Sequence, residues 1–231
     1  GVEHPRALRL TVHNAVIDWY GRHARDLPWR AADRTPWGVL VSEFMLQQTP
    51  VARVEPVWRA WLDRWPTPAG LAVEQPGTAV RAWGRLGYPR RALRLHAAAT
   101  VIVARHAGEV PQSYHTLRTL PGIGEYTAAA IASFAYGQRQ VVLDTNVRRV
   151  LARSVAGLAR PGITTTASER RLAESMLPDD GQAAAAWSVA AMELGALVCT
   201  ARSPTCAACP IVGSCAWRLA GFPPFDGPAR Q

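Results

Sequence analysis

Apolar positions return every three or four residues along almost the whole chain, as in Val12, Ala15, Val16 and Trp19 and again in Val54, Val57, Trp58, Trp61 and Leu62. That is the period of amphipathic helices, and no stretch alternates convincingly at the two-residue period of a strand. Proline and glycine punctuate the pattern, notably at Pro28, Pro36, Pro66, Pro68, Pro76, Pro89, Pro111, Pro121 and Pro161. The pattern predicts an all-α fold of about ten short helices joined by tight turns. The tail Gly221 to Gln231 holds three Pro and two Gly with little to bury, and reads as a linker or frayed terminus.

At 231 residues and 48% hydrophobic, the chain can bury the core of one large or two small domains. Its longest apolar runs, such as Ala183 to Met192, are Ala-rich and too short to span a bilayer. No basic-then-apolar leader precedes a small-residue cleavage site. Membrane and secreted readings are therefore weak, and the expected compartment is the cytoplasm.

The formal net charge is +9, and all 26 cations are Arg, with no Lys anywhere. Guanidinium groups grip phosphates and release counterions, so the excess charge points to a polyanion. The codon bias of a GC-rich genome would account for Arg over Lys, but less easily for the excess over Asp and Glu. The missing Lys also removes any side-chain amine that could form a Schiff base.

All four cysteines fall in one short stretch, Cys199, Cys206, Cys209 and Cys215. Only Cys206 and Cys209 have the close spacing usual in a structural zinc site. Four thiolates in one compact loop better suit an iron-sulfur cube, with zinc second. Two disulfides rank third, since nothing else suggests an oxidising compartment.

Thr119 to Thr127, with Pro121, Gly122 and Gly124 at its centre, joins two helical patterns. The two Gly allow a turn that aims free N–H groups outward at a helix start, where they can hold a phosphate without reading sequence. A simple helix connector would have the same composition. Further on, an apolar segment from Val141 delivers Asp144 to the start of a new helix. Asp is a preferred N-cap and needs no other reason to be there; if a phosphate sits on the hairpin, its carboxylate could also face the attached sugar. Glu43 interrupts an apolar run beside Leu40, Phe44 and Leu46, where desolvation favours a retained proton. A buried pair with an Arg is the competing explanation.

The hairpin Leu120 to Gly124, the Leu143-Asp144 pair and the four-cysteine loop, in this order, resemble the helix-hairpin-helix DNA glycosylases that carry a [4Fe-4S] cluster. The resemblance runs from about Leu27 to Cys215. It implies a two-lobed fold: residues 26–138 as a helical barrel lobe with the hairpin, residues 1–25 and 139–220 as a discontinuous cluster lobe, and 221–231 as linker or tail.

The bifunctional branch places a Lys two residues after the second hairpin Gly, where this chain has Tyr126. Monofunctional relatives remain. Ser42 to Thr49, Leu27 to Arg30 and Leu86 to Tyr88 resemble the adenine branch, which removes adenine mispaired with 8-oxoguanine or guanine. The thymine branch tends to carry Arg-Arg where this chain has Gln47-Gln48.

By that resemblance Glu43 protonates the leaving base and Asp144 stabilises the sugar cation or its adduct, with Tyr126 and Asn146 in support. Gln48 and Tyr88 become wedges in the base stack, Trp29, Arg30 and Leu46 line the base pocket, and Gly122, Gly124, Arg149 and Arg202 lie on DNA. Cys199, Cys206, Cys209 and Cys215 hold the cluster. The implied partner is double-stranded DNA with a mispaired, flipped-out base, met by a monomer in the bacterial cytoplasm.

One departure stands out. Where the family often places Gln or Glu to meet adenine, four residues before Glu193, this chain has Val189. The family's usual C-terminal domain, which helps sense 8-oxoguanine, has no counterpart within residues 1–231. A thymine glycosylase acting on T/G mismatches and a non-catalytic DNA-binding module remain the alternatives.

Overall fold

A computed structural model describes residues 6–224, with side chains from residue 9 onward; most of the tail, residues 225–231, lies outside the described residues. Among the described residues the chain is helical without a strand, as the hydrophobic period predicts. Twelve α-helices are present among the described residues rather than about ten, because several connections contain a helical turn of four or five residues. No described helix is long and apolar enough to cross a membrane.

The chain divides into two compact units, Asp26–Gly137 and Gly1–Arg25 with Gln138–Gln231. The central unit holds α2 (Pro36–Leu46), α3 (Val51–Arg64), α4 (Pro68–Ala72), α5 (Pro76–Trp83), α6 (Arg90–Arg105), α7 (Tyr114–Leu117) and α8 (Glu125–Tyr136). Pro36, Pro68 and Pro76 each open a helix, where the missing N–H costs nothing. Thr35 caps α2 by accepting from Gly38 N at 3.0 Å, and Thr67 does the same for α4. The core gathers Trp37, Leu40, Phe44, Trp61, Trp83, Leu95, Ile102 and Ile131. Helix α2 packs on α3, α6 and α8, so almost its entire surface is covered. Gly137, in the left-handed conformation at φ 64°, ends α8 and with it the unit.

The terminal unit comprises α1 (Arg6–His23), α9 (Thr145–Ser154), α10 (Ala167–Met176), α11 (Gly181–Leu197) and α12 (Ala216–Leu219). Helix α11 packs on α1 and α9, burying Val16, Trp19, Val147, Leu151, Trp187 and Leu194. The Ala-rich run Ala183 to Met192 is thus a core helix. Glu193, fully buried, takes the backbone N–H and the forked guanidinium of Arg25 at 2.7 to 3.0 Å, closing the start of the chain onto α11.

Candidate active site

In the central unit, Glu43 lies on α2 and is 7% exposed. Its neighbours on the helix, Ser42, Phe44 and Met45, are buried as well. Phe44 brings the hairpin to α2. Gly122 sits at φ +80°, and a Cβ there would stand 2.9 Å from Phe44 Cε1 and 2.8 Å from Arg94 Cβ. Only Gly fits, both for its backbone and for its space.

After the turn, Gly124 is the N-cap of α8 and offers no side-chain acceptor to the first N–H groups; the space where a Cβ would lie is open. Tyr126 follows in the first turn of α8, half-buried. Gln47 Nε2, at the end of α2, donates to Thr127 Oγ1 at 3.5 Å, so the end of the Glu43 helix and the start of the Tyr126 helix are tied together.

Gln48 and Tyr88 stand on exposed turns of the same unit. Both adopt positive φ, 57° and 49°, which is uncommon for residues with a Cβ, and Tyr88 is 64% exposed. Leu46 is half-buried against the core. Trp29 is only 6% exposed and meets the Trp58 ring edge-on with centroids 5.8 Å apart. Its contacts are those of a core residue. Arg30 beside it is half-buried.

In the terminal unit, Asp144 is the N-cap of α9. One carboxylate oxygen accepts from Val147 N at 2.7 Å and the other from Asn146 Nδ2 at 2.9 Å. The capping role is therefore real, and it fixes the carboxylate in one orientation. Burial pushes the Asp144 carboxyl above the usual range, while the Val147 and Asn146 donors and the Arg149 charge pull the other way without cancelling it.

Arg149 makes several hydrogen bonds within the terminal unit. Its Nη2 donates to Asn146 Oδ1 and to Gly195 O, both at 2.7 Å, and its Nε to Cys199 O at 2.6 Å. In this arrangement its donors serve the protein, joining the Asp144–Asn146 pair to the end of α11 and the first cysteine. Arg202 is exposed on the cysteine loop. Val189 is half-buried on α11.

Cys199, Cys206, Cys209 and Cys215 all line one small pocket, together with Arg153 and Trp217. All four are free thiols, so neither disulfide is present. Burial pushes the Cys199 thiol up and that of Cys209 to about 11, and the other three sulfurs act on Cys209 in the same direction. No motif in the sequence singles out Arg153. It is buried, points Nη1 at Cys199 Sγ at 3.5 Å, donates to Thr200 O at 2.7 Å and lies over the Trp217 ring. It follows Arg149 by one helical turn on α9; that spacing was the available signal.

The sequence pattern of HhH-GPD superfamily base excision DNA repair proteins matches residues 41–176. An adenine DNA glycosylase of Mycobacterium tuberculosis is 54% identical over 216 residues, covering 94% of this chain and 70% of that protein. The chain belongs to the adenine DNA glycosylase family of the HhH-GPD superfamily. A thymine/uracil-DNA glycosylase of Pyrobaculum aerophilum is similar at 33% identity, over 91% of this chain and 93% of that one. Among solved structures, that of a thermostable thymine-DNA glycosylase superposes with a TM-score of 0.81 at 23% identity, over 92% of this chain and 97% of that one, and shows the same fold. Within this family of DNA N-glycosylases, Glu43, the hairpin, Tyr126 and Asp144 fall inside the matched region, whereas the cysteine loop lies beyond it.

Proposed function

We propose that the protein is a monofunctional glycosylase that removes adenine mispaired with 8-oxoguanine or guanine in double-stranded DNA. Hydrolysis of an N-glycosidic bond leaves negative charge on the departing base and positive charge on the sugar. A buried acid and a held carboxylate answer those two needs. Glu43 gives its proton to the base nitrogen as the bond to the sugar breaks. Asp144 stabilises the cation at the sugar carbon until water adds there, leaving an abasic site.

The single observation that carries this reading is the state of Asp144. Its two oxygens are held by Val147 N–H and Asn146, so no reorganisation is required when charge develops. With no Lys in the chain, the strand is left uncut. The 54% identity to an adenine enzyme, against 33% to a thymine/uracil enzyme, favours adenine over thymine. The base must leave the duplex to meet either carboxyl group, with Tyr126 and Asn146 in support, Trp29, Arg30 and Leu46 at the base, and Gln48 and Tyr88 in the stack. The open start of α8 at Gly122 and Gly124 suits a phosphate, as does exposed Arg202. The protein would act as a monomer in the bacterial cytoplasm.

The cysteine loop fits a [4Fe-4S] cluster held by Cys199, Cys206, Cys209 and Cys215. The four cysteines line one pocket, and their thiolates are the donors that such a cluster takes. When bound, the cluster supplies four iron–thiolate bonds that cross-link the loop.

Glu43→Gln tests the assignment of the acid. The amide has the same shape but no catalytic proton, so a variant that melts like wild type should release no adenine in a single turnover. If Glu43 were only a buried charge partner, the variant would stay active and lose about 3–5 kcal/mol of stability.

A further inference from the structure

We propose that Arg91 is a positioning residue that sets the two turns displaying Gln48 and Tyr88, so that both side chains meet DNA as one fixed pair. This rests on the reading of Gln48 and Tyr88 as wedges.

Arg91 lies in the first turn of α6 and is 6% exposed, and among the described residues no carboxylate pairs with it. A buried cation without a counter-ion needs dense hydrogen bonding to persist, and burial pulls its pKa down. The hydrogen bonds come from two separate segments. Nη1 donates to the carbonyls of Phe44 and Met45, each at 3.1 Å, and also to that of Gln47. Nη2 donates to Thr49 Oγ1 at 3.0 Å and to the carbonyls of Leu86 at 3.3 Å and Gly87 at 3.1 Å. The guanidinium also faces the rings of Trp83 and Tyr88, with centroids 5.3 and 5.4 Å away.

These acceptors adjoin the strained positions. Gln47 and Thr49 flank Gln48 at φ 57°, and Gly87 precedes Tyr88 at φ 49°. Left-handed backbone in residues with a Cβ persists where the surroundings over-determine it, and one planar group gripping both turns is such a surrounding. Thr49 Oγ1 adds a second tie by donating to Leu86 O at 3.1 Å. Lys has the charge but not the fork of donors, so it cannot reproduce this clamp.

The experiment is hydrogen exchange on the free protein, paired with fluorescence of 2-aminopurine placed beside a mispaired adenine in duplex DNA. In Arg91→Lys, exchange at the hydrogen-bonded amides of Thr49 and Leu86, one in each turn, should rise together by at least about tenfold, while Ile102 and Ile131 stay protected. The fluorescence rise on binding should be lost. Thr49→Val, a milder change, should loosen both segments to a smaller degree. Loosening of one turn alone in either variant, or equal loosening of the core in Arg91→Lys, would overturn the proposal. Tyr88→Ala serves as the separate check: if it leaves the fluorescence rise intact, the wedge reading fails, whereas the exchange result still judges the clamp.

Discussion

Gly195 of α11 lies so close to Asn146 of α9 that a Cβ on it would stand 2.7 Å from Asn146 Cβ and 2.8 Å from the Asn146 carbonyl oxygen. The helix that leads into the cysteine loop therefore rests on the residue that holds Asp144. Arg149 fastens the same contact from the side by bonding both Asn146 Oδ1 and Gly195 O.

Gly195→Ala should consequently destabilise the protein, although Ala is ordinarily the better helix former. The atoms in the way are backbone and Cβ, which cannot swing aside, so about 1–3 kcal/mol of overpacking is expected. Thermal melting checks the sign, and single-turnover kinetics should show a slower rate as Asn146 shifts. A melting point at or above that of wild type would contradict the contact.

Asp144→Asn separates capping from chemistry. Asn is itself a good N-cap, so the variant should fold and bind DNA nearly as well as wild type. Its single-turnover rate should fall by at least about 10²-fold, because transition-state charge rather than ground-state contact is lost. Near-normal activity would leave Asp144 as a cap alone.

The pH dependence follows from the same carboxyl. Burial raises the Asp144 pKa above the usual carboxylate value, and the proposed role needs the ionised form. As pH falls, activity should therefore begin to drop at a higher pH than an ordinary Asp would dictate, and recover as pH rises through that pKa. The residual rate of Asp144→Asn should lack this acidic limb. A limb unchanged in the variant would assign the titration elsewhere.

The cluster reading is tested by composition. Purified protein should be brown, with about four iron and four sulfide per chain, and changing any one of the four cysteines should lower DNA affinity. Colourless protein holding one zinc would contradict it.

What the sequence made legible was local. The helical period, the Pro-opened helices, the Gly122 turn and the Asp144 cap all follow from neighbours within a few positions, where backbone sterics and capping act. Arg91, Arg153 and Glu193 were not legible, because their partners lie far along the chain, 168 residues in the case of Arg25 and Glu193. Most acceptors of Arg91, Arg149 and Arg153 are backbone carbonyls, which every residue possesses and no motif records. Arg153 shows the consequence, since a surplus of Arg reads as a DNA-facing surface, whereas this one is buried against the cysteine loop.

A gel assay on three duplexes, carrying A opposite 8-oxoguanine, A opposite G and T opposite G, each run with and without alkali, tests the adenine-glycosylase reading. Base loss is expected from the two adenine duplexes alone, with strand breaks only after alkali. Cleavage of the T/G duplex instead, no base loss from any of the three, or efficient nicking without alkali would contradict it.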